Sequence, residues 1–470
     1  TTGTGAITLF GNKSVVANGA LSTTGTNSGQ ISINALTGST VAINKAISAG
    51  SGANVALFTT GTGAISVAKD AKITAGASVT LNSAATGVIN IASGADITAG
   101  NDVIDVSSGG TLSLGANITT TAGNILFNSL AINLTGAVSL KSQGDINLNK
   151  VNGAENLTME TTGPITLASV GQTIPLNTVT VNNSSGLNSF NFSAANVVLA
   201  DTTGSIRFIN TVITNTLTTA TKAYYLEFSG TTVLSGAPVF LNTGNGNFSV
   251  RLSGTTSLPN GATITGNAVN EVYLSGTIVS GGAFNIGVSG NTGSIIIADG
   301  TQLILNSTSA GSNFANPISL NGSQAGGKLS LLGVGALTLS GDSSSVTTSG
   351  DTIEVINGTL NVTGKLGPAN VTSATNGTIT GAGGTIGTLN VNTGTVAPGG
   401  TLSTGAVNFN VATNYKVDLS GKTTASNLQT SSAILLGGAT LSLGTVASGL
   451  DDRSVLTIID NTASAGTNLI

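Results

Sequence analysis

Chemistry in this chain would have to come from carboxylates, hydroxyls and a few cations. The sequence contains no Cys and no His, which removes thiolate nucleophiles and metal ligands as well as the commonest general base. A Ser-His-Asp relay is excluded for the same reason. Paired carboxylates remain, since two acids flanking a glycosidic bond can hydrolyse it. The candidate pairs are Asp102 with Asp105 and Asp451 with Asp452. Both are close in sequence and sit in turn-like surroundings, where Asp caps or bonds the backbone, and capping is the reading the residues favour. A polysaccharide lyase would need acidic Ca²⁺ ligands beside a Lys or Arg base, and no segment offers that cluster. The Gly-rich Ca²⁺-binding nonapeptide is also missing. Gly421-Lys422-Thr423 has the ending of a phosphate-binding loop, but Lys416 stands where the first Gly of that loop must be. No cofactor, metal or catalytic residue is expected, and the chain reads as non-enzymatic.

The densest polar constellation lies between 205 and 273. With Gly230, Gly254 and Gly276 aligned, and Asn210 as the equivalent before them, residues two positions earlier are Phe208, Phe228, Leu252 and Leu274. These should be core. Three positions earlier come Arg207, Glu227, Arg251 and Tyr273, which should face solvent, and five earlier come Ser205, Tyr225, Ser249 and Glu271. Glu271 then falls one coil on from Arg251 and diagonal to it. The favoured reading is a register device, in which opposite charges stack at strand spacing for well under about 1 kcal/mol per exposed pair. The sharper reading is a binding face for glycans or protein built from Arg207, Tyr225, Glu227, Arg251, Glu271 and Tyr273.

The elements that position these residues follow from repetition. Phe228-Ser229-Gly230-Thr231, Leu252-Ser253-Gly254-Thr255, Leu274-Ser275-Gly276-Thr277 and Ala298-Asp299-Gly300-Thr301 place their glycines 24, 22 and 24 residues apart. An earlier series centred on Ile47, Ile73 and Ile97 has spacings of 26 and 24. Short alternating runs follow glycines, as in Gly5-Ala6-Ile7-Thr8-Leu9, Gly63-Ala64-Ile65-Ser66-Val67, Gly87-Val88-Ile89-Asn90-Ile91 and Gly110-Thr111-Leu112-Ser113-Leu114. Their two aliphatic positions point one way and the polar ones the other. No apolar pattern at helical spacing appears, and glycine and β-branched residues recur throughout. The expected fold is all-β: a right-handed parallel β-helix, or solenoid, with about three strands per coil and about 20 coils of roughly 22 residues. At one strand spacing per coil this gives a rod on the order of 100 Å long.

Composition agrees. The chain has 470 residues, of which 66 are Gly, 39% are hydrophobic, 3% aromatic and only 7% charged. A mean hydropathy of +0.35 excludes the weakly hydrophobic, highly charged profile of disorder. Ten of the sixteen aromatics fall in 190–284 (Phe190, Phe192, Phe208, Tyr224, Tyr225, Phe228, Phe240, Phe248, Tyr273 and Phe284). The net charge is −4 with only 14 scattered Lys and Arg, so nucleic acid is excluded as a partner. No apolar run approaches the length of about 18 residues that spans a membrane as a helix. The chain starts at Thr1 inside repeat-like sequence, which suggests a processed or excised piece.

From Asn376 onward the chain resembles the C-terminal part of bacterial autotransporter-type passengers and their autotransporter-associated β-strand repeats. The residues that carry this are Gly383-Gly384-Thr385-Ile386-Gly387, then Gly394 through Leu402, Tyr415-Lys416-Val417-Asp418-Leu419, Leu436 through Leu443, and Val455 through Asn461. The rest is similar to hemagglutinin-like β-helices in composition and period. The resemblance implies export to a bacterial cell surface and a role as adhesin stalk, matrix component or filament subunit. A β-helix carbohydrate-active enzyme or polysaccharide-binding protein is the alternative. Two regions are expected, 1–375 and the passenger-like 376–470. Strand-like sequence at both ends, Gly5 to Leu9 and Thr467-Asn468-Leu469-Ile470, suggests further chain or end-to-end stacking with other copies.

Overall fold

The computed structural model describes the chain apart from residues 1, 4, 26–28, 243–247, 267–268, 288–292, 310, 321–325, 422–423, 449–454 and 463–470. The described residues are strands and turns, stacked as a parallel β-solenoid of about 18 turns. They fall into two compact units, 1–220 with 224–228, and 221–223 with 229–470.

In the first unit a coil is made of three short strands. Val55–Thr59, Ile65–Val67 and Ile73–Gly76 make one circuit, and Val79–Ser83 begins the next by pairing in parallel with Val55–Thr59. The alternating runs fold as such strands because one face of each can be buried. Ile65, Ile89 and Leu112 lie in register and are fully buried, as are Val67, Ile91 and Leu114 just beyond them. The series read from sequence stacks as Leu21, Ile47, Ile73, Ile97 and Ile118. Burying each such side chain contributes about 2 kcal/mol, and parallel pairing gives each coil the same neighbours as the last.

Corners are closed by a device absent from the alternation pattern. A Ser or Thr at the end of one strand turns inward and donates to a glycine carbonyl in the adjoining corner. Ser83 Oγ bonds the carbonyl of Gly63 at 2.7 Å, Ser108 Oγ that of Gly87 at 2.8 Å and Ser142 Oγ that of Gly123 at 2.8 Å. Thr404 Oγ1 repeats this in the second unit with Gly387 at 3.3 Å. Each contributes about 1 kcal/mol and gives the inward hydroxyl a partner that it would otherwise lack in the core. A Cβ on Gly87 would lie 2.0 Å from Ser83 Oγ and 2.2 Å from the Gly63 carbonyl oxygen, so the corner admits only glycine.

Two long strands, Leu176–Leu199 and Thr202–Thr219, run through their corners while staying paired. They bend at Asn191 and Asn210, with φ of 49° and 51°, and Asn210 Nδ2 donates to Asn191 Oδ1 at 3.1 Å. Gly230, Gly254, Gly276 and Gly300 hold the same left-handed conformation, with φ of 72°, 83°, 80° and 72°. The equivalence of Asn210 with these glycines therefore holds. The fourth copy needs correction: Leu274 pairs with Ile297, not Ala298, and Thr277 pairs with Gln302. The corner around Gly300 is two residues longer, with four residues between Ile297 and Gln302 against two between Leu274 and Thr277, and the buried Thr301 closes it by donating to the carbonyl of Ala298 at 2.6 Å.

Parallel pairing runs past residue 376, where Val371 faces Leu389 and Thr359 faces Thr378. Beyond that point Thr385–Ile386, Thr401–Thr404, Asn427–Thr430 and Ile459–Asn461 form a separate four-stranded sheet. Val407–Gly421 folds back antiparallel onto Thr424–Ala425. This places Gly421 in a hairpin, while Lys422 and Thr423 lie outside the described residues.

Candidate functional site

The outward residues stand as the register requires in two stretches, one in each unit. In the first, Ile206 and Phe208 point into the core and Arg207 points out, while Leu226 and Phe228 are buried on either side of Glu227. Phe208 and Phe228 stack with centroids 5.3 Å apart and rings 9° from parallel, and Phe192 meets Phe208 edge-on at 5.1 Å. This aromatic stack fixes the backbone beneath the charges. Arg207 Nε lies 3.7 Å from Glu227 Oε2, which also accepts from the Tyr225 hydroxyl at 3.5 Å. Arg207 stands in a ladder with Asn188 and Thr166, and together with Ser185 and Ser205 these line an open groove of about 380 Å³.

In the second unit Val250, Leu252, Val272 and Leu274 are buried, leaving Arg251, Glu271 and Tyr273 on the outer face. Ser249 faces Glu271 and Arg251 faces Tyr273, so Glu271 is diagonal to Arg251. The Arg251 guanidinium stacks on the Tyr273 ring, 4.0 Å from its centroid, a cation–π contact. The next coil sets Ser294 against Glu271 and Ile296 against Tyr273, and the one after sets Ser319 against Ile296.

There the column stops. Instead of another strand, Asp342 to Thr347 form a helical turn in which the amides of Val346 and Thr347 donate to the Ser343 carbonyl. Ser343 Oγ accepts from the amide of Ile318 at 2.9 Å. The hydroxyl and amide of Ser344 donate to Asp342, which also meets Lys365 at 3.3 Å, and these hold its carboxyl below the usual carboxylate range. Asp351, fully buried, pins the segment: it accepts from the amides of Gly326, Gly327 and Thr348 at 3.2, 3.1 and 2.7 Å. Between this turn and the sheet lies a notch of about 450 Å³, lined by Ser294, Ile296, Ser319 and residues 345–348.

Sequence reasoning found six outward residues but not this notch. Its signal was the polar run from Gly341 to Asp351, which breaks the alternation between Leu339 and Ile353. Other one-coil charge pairs were also missed: Lys141 Nζ lies 2.7 Å from Glu160 Oε1 and Lys328 Nζ 2.8 Å from Glu354 Oε2. Asp102 and Asp105 act locally, accepting from the Val103 amide and the Ser107 hydroxyl, each at 2.8 Å. Asp451 and Asp452 lie outside the described residues. Among the described residues no group of three or more Asp or Glu is placed to hold a metal ion, and no helix is long and apolar enough to cross a membrane. No family model, no curated protein and no solved structure matches the chain.

Proposed function

We propose that this protein is a non-enzymatic structural or adhesive component of a bacterial cell surface: an adhesin stalk, a matrix component or a filament subunit. The observation that carries the reading is how consistently side chains are engaged by the same position one coil away. Aliphatic ladders, Asn44 Nδ2 on Asn18 Oδ1 at 2.7 Å, Asn408 Nδ2 on Asn390 Oδ1 at 2.7 Å, and the Lys141–Glu160 pair all join neighbouring coils. Such a scaffold resists unfolding coil by coil and presents a long repeated surface, which suits a stalk or fibre. The passenger-like motifs from Gly383 to Asn461 supply the bacterial-surface part of the proposal, and each of the five includes residues of a strand paired in parallel with another.

Self-association is part of the same reading. In Thr440–Val446 the side chains of Leu441 and Leu443 stand over the buried Tyr415 and Val417 yet are 55% and 61% exposed. A further coil, from a second copy or from more of the same chain, would cover them. Labelling of intact producing cells with an antibody to this segment, beside electron microscopy of the purified protein, tests the reading. Surface labelling with fibres or end-joined particles is expected. Signal only after lysis, or depolymerisation of polysaccharides that is lost in Arg207→Ala or Arg251→Ala, would replace it with the enzyme alternative.

A further inference from the structure

We infer that the notch beside residues 345–348 is a binding site for a neutral saccharide chain, continuing the face begun by Glu271 and Tyr273. This gives the adhesive part of the proposed function a ligand class and rests on that reading.

Four features of the notch lead there. Its size suits one or two sugar rings, since ligand pockets begin at about 300 Å³. Its lining is mixed: Ile296 and Val346 offer apolar surface to the C–H face of a ring, and Ser294, Ser319 and Ser345 offer hydroxyls to its rim. The Thr348 hydroxyl, in the same wall, is buried and without a hydrogen-bond partner, a cost that a rotated hydroxyl meeting a ligand would remove. Finally, the wall is held in place before any ligand arrives. Asp351 fixes the Thr348 amide, and Thr347 Oγ1 bonds the carbonyls of Ser343 and Leu366. A wall ordered in advance lowers the entropic cost of binding.

Charge selects among saccharides. The mouth of the notch is flanked by Glu271, which faces Ser294 in the ladder. A carboxylate there accepts hydrogen bonds from sugar hydroxyls and repels a uronate. Two cations around the notch are already engaged, Arg251 stacked on Tyr273 and Lys365 paired with Asp342. The geometry therefore points to a neutral chain lying along the coil-stacking direction from Tyr273 over Ile296 to the wall.

The test uses the whole chain in isothermal titration with maltohexaose, cellohexaose, chitohexaose and polygalacturonate. Binding of at least one neutral hexamer is expected, about tenfold weaker or worse in Ser345→Trp, which fills the notch from its exposed rim, and in Glu271→Gln. Lys141→Ala, in the other unit and outside both recesses, should bind as the parent does. Thermal unfolding by circular dichroism checks that each variant is folded; if Ser345→Trp is not, Val346→Ser serves in its place. Binding by polygalacturonate alone, by none of the hexamers, or undiminished in both notch variants overturns the inference. Cell labelling and microscopy are scored independently: loss of the surface reading with hexamer binding intact separates the two.

Discussion

Two outward stretches, one in each compact unit, behave differently. Around Arg207 and Glu227 the column runs on an aromatic stack, the charges meet across one coil, and strands continue on either side. Around Arg251 and Tyr273 the cation stacks on a ring, and two coils later the column ends at a turn that opens a notch. The same strand geometry makes a register device where pairing continues and a walled notch where it is interrupted. Both stretches border a recess, an open groove of about 380 Å³ beside Arg207 and a notch of about 450 Å³ beyond Tyr273, but only the second is walled by a turn that stands in place of a strand.

The comparison depends on the inside/outside register in the second stretch, and the largest expected effect tests it. Leu252→Lys should cost about 4 kcal/mol in chemical denaturation, because it buries an unpaired charge. Arg251→Ala next to it should cost under about 1 kcal/mol. Equal losses would mean that the column is inverted by one residue. The notch has its own anchor. Asp351→Leu strips three buried amides of their acceptor and should cost about 3 kcal/mol, together with faster proteolysis in 343–351; a stability unchanged from the parent would show that the wall is held by something else.

Corners sharpen the contrast. A Cβ at Gly276 would sit 2.2 Å from the Gly254 carbonyl oxygen, so Gly276→Ala should lose about 2 kcal/mol or more. Asn210 already carries a Cβ at the equivalent corner, and Asn210→Gly should lose less than half as much. A smaller effect of opposite sign is expected inside the second unit. Thr232 and Thr256 pair in register, are fully buried, and neither hydroxyl has a partner. Thr256→Val should therefore raise stability by about 1 kcal/mol, and a loss would reveal a partner for that hydroxyl.

The last effect is a loss of stability confined to alkaline pH. Burial pushes the Tyr224 phenol up from 10.0 to about 12, opposed by its hydrogen bond to Thr219 at 2.7 Å. The folded state thus holds the proton more tightly than the unfolded one. Its contribution is complete below about pH 10 and is lost as pH rises toward about 12. Urea midpoints at about pH 8 and about pH 11 should converge in Tyr224→Phe relative to the parent; an unchanged difference would place the alkaline sensitivity elsewhere.

Much of this was legible in residue order, because a solenoid repeats its local rules. The spacing of Ile47, Ile73 and Ile97 states which residues stack, and alternation in Ile65-Ser66-Val67 states which face is buried. Aligning glycines put Phe208, Phe228, Leu252 and Leu274 inside and Arg207, Arg251 and Tyr273 outside. The two extra residues in the corner around Gly300 were not legible, since a corner of either length satisfies the same Gly-Thr motif and only the pairings of Leu274 with Ile297 and Thr277 with Gln302 decide. Likewise, Ser83 and Ser108 fall in phase with the buried aliphatics of their strands, where a hydroxyl has no evident partner, and only the adjoining coil shows them turned onto glycine carbonyls. The sequence by itself determined period, core and the exposure of a charged column, all of which follow from chain-local geometry. The tertiary structure alone decided where that column ends and what stands beside it, because a recess is defined by residues such as Ile296 and Val346, 50 positions apart, that meet only once the coils are stacked.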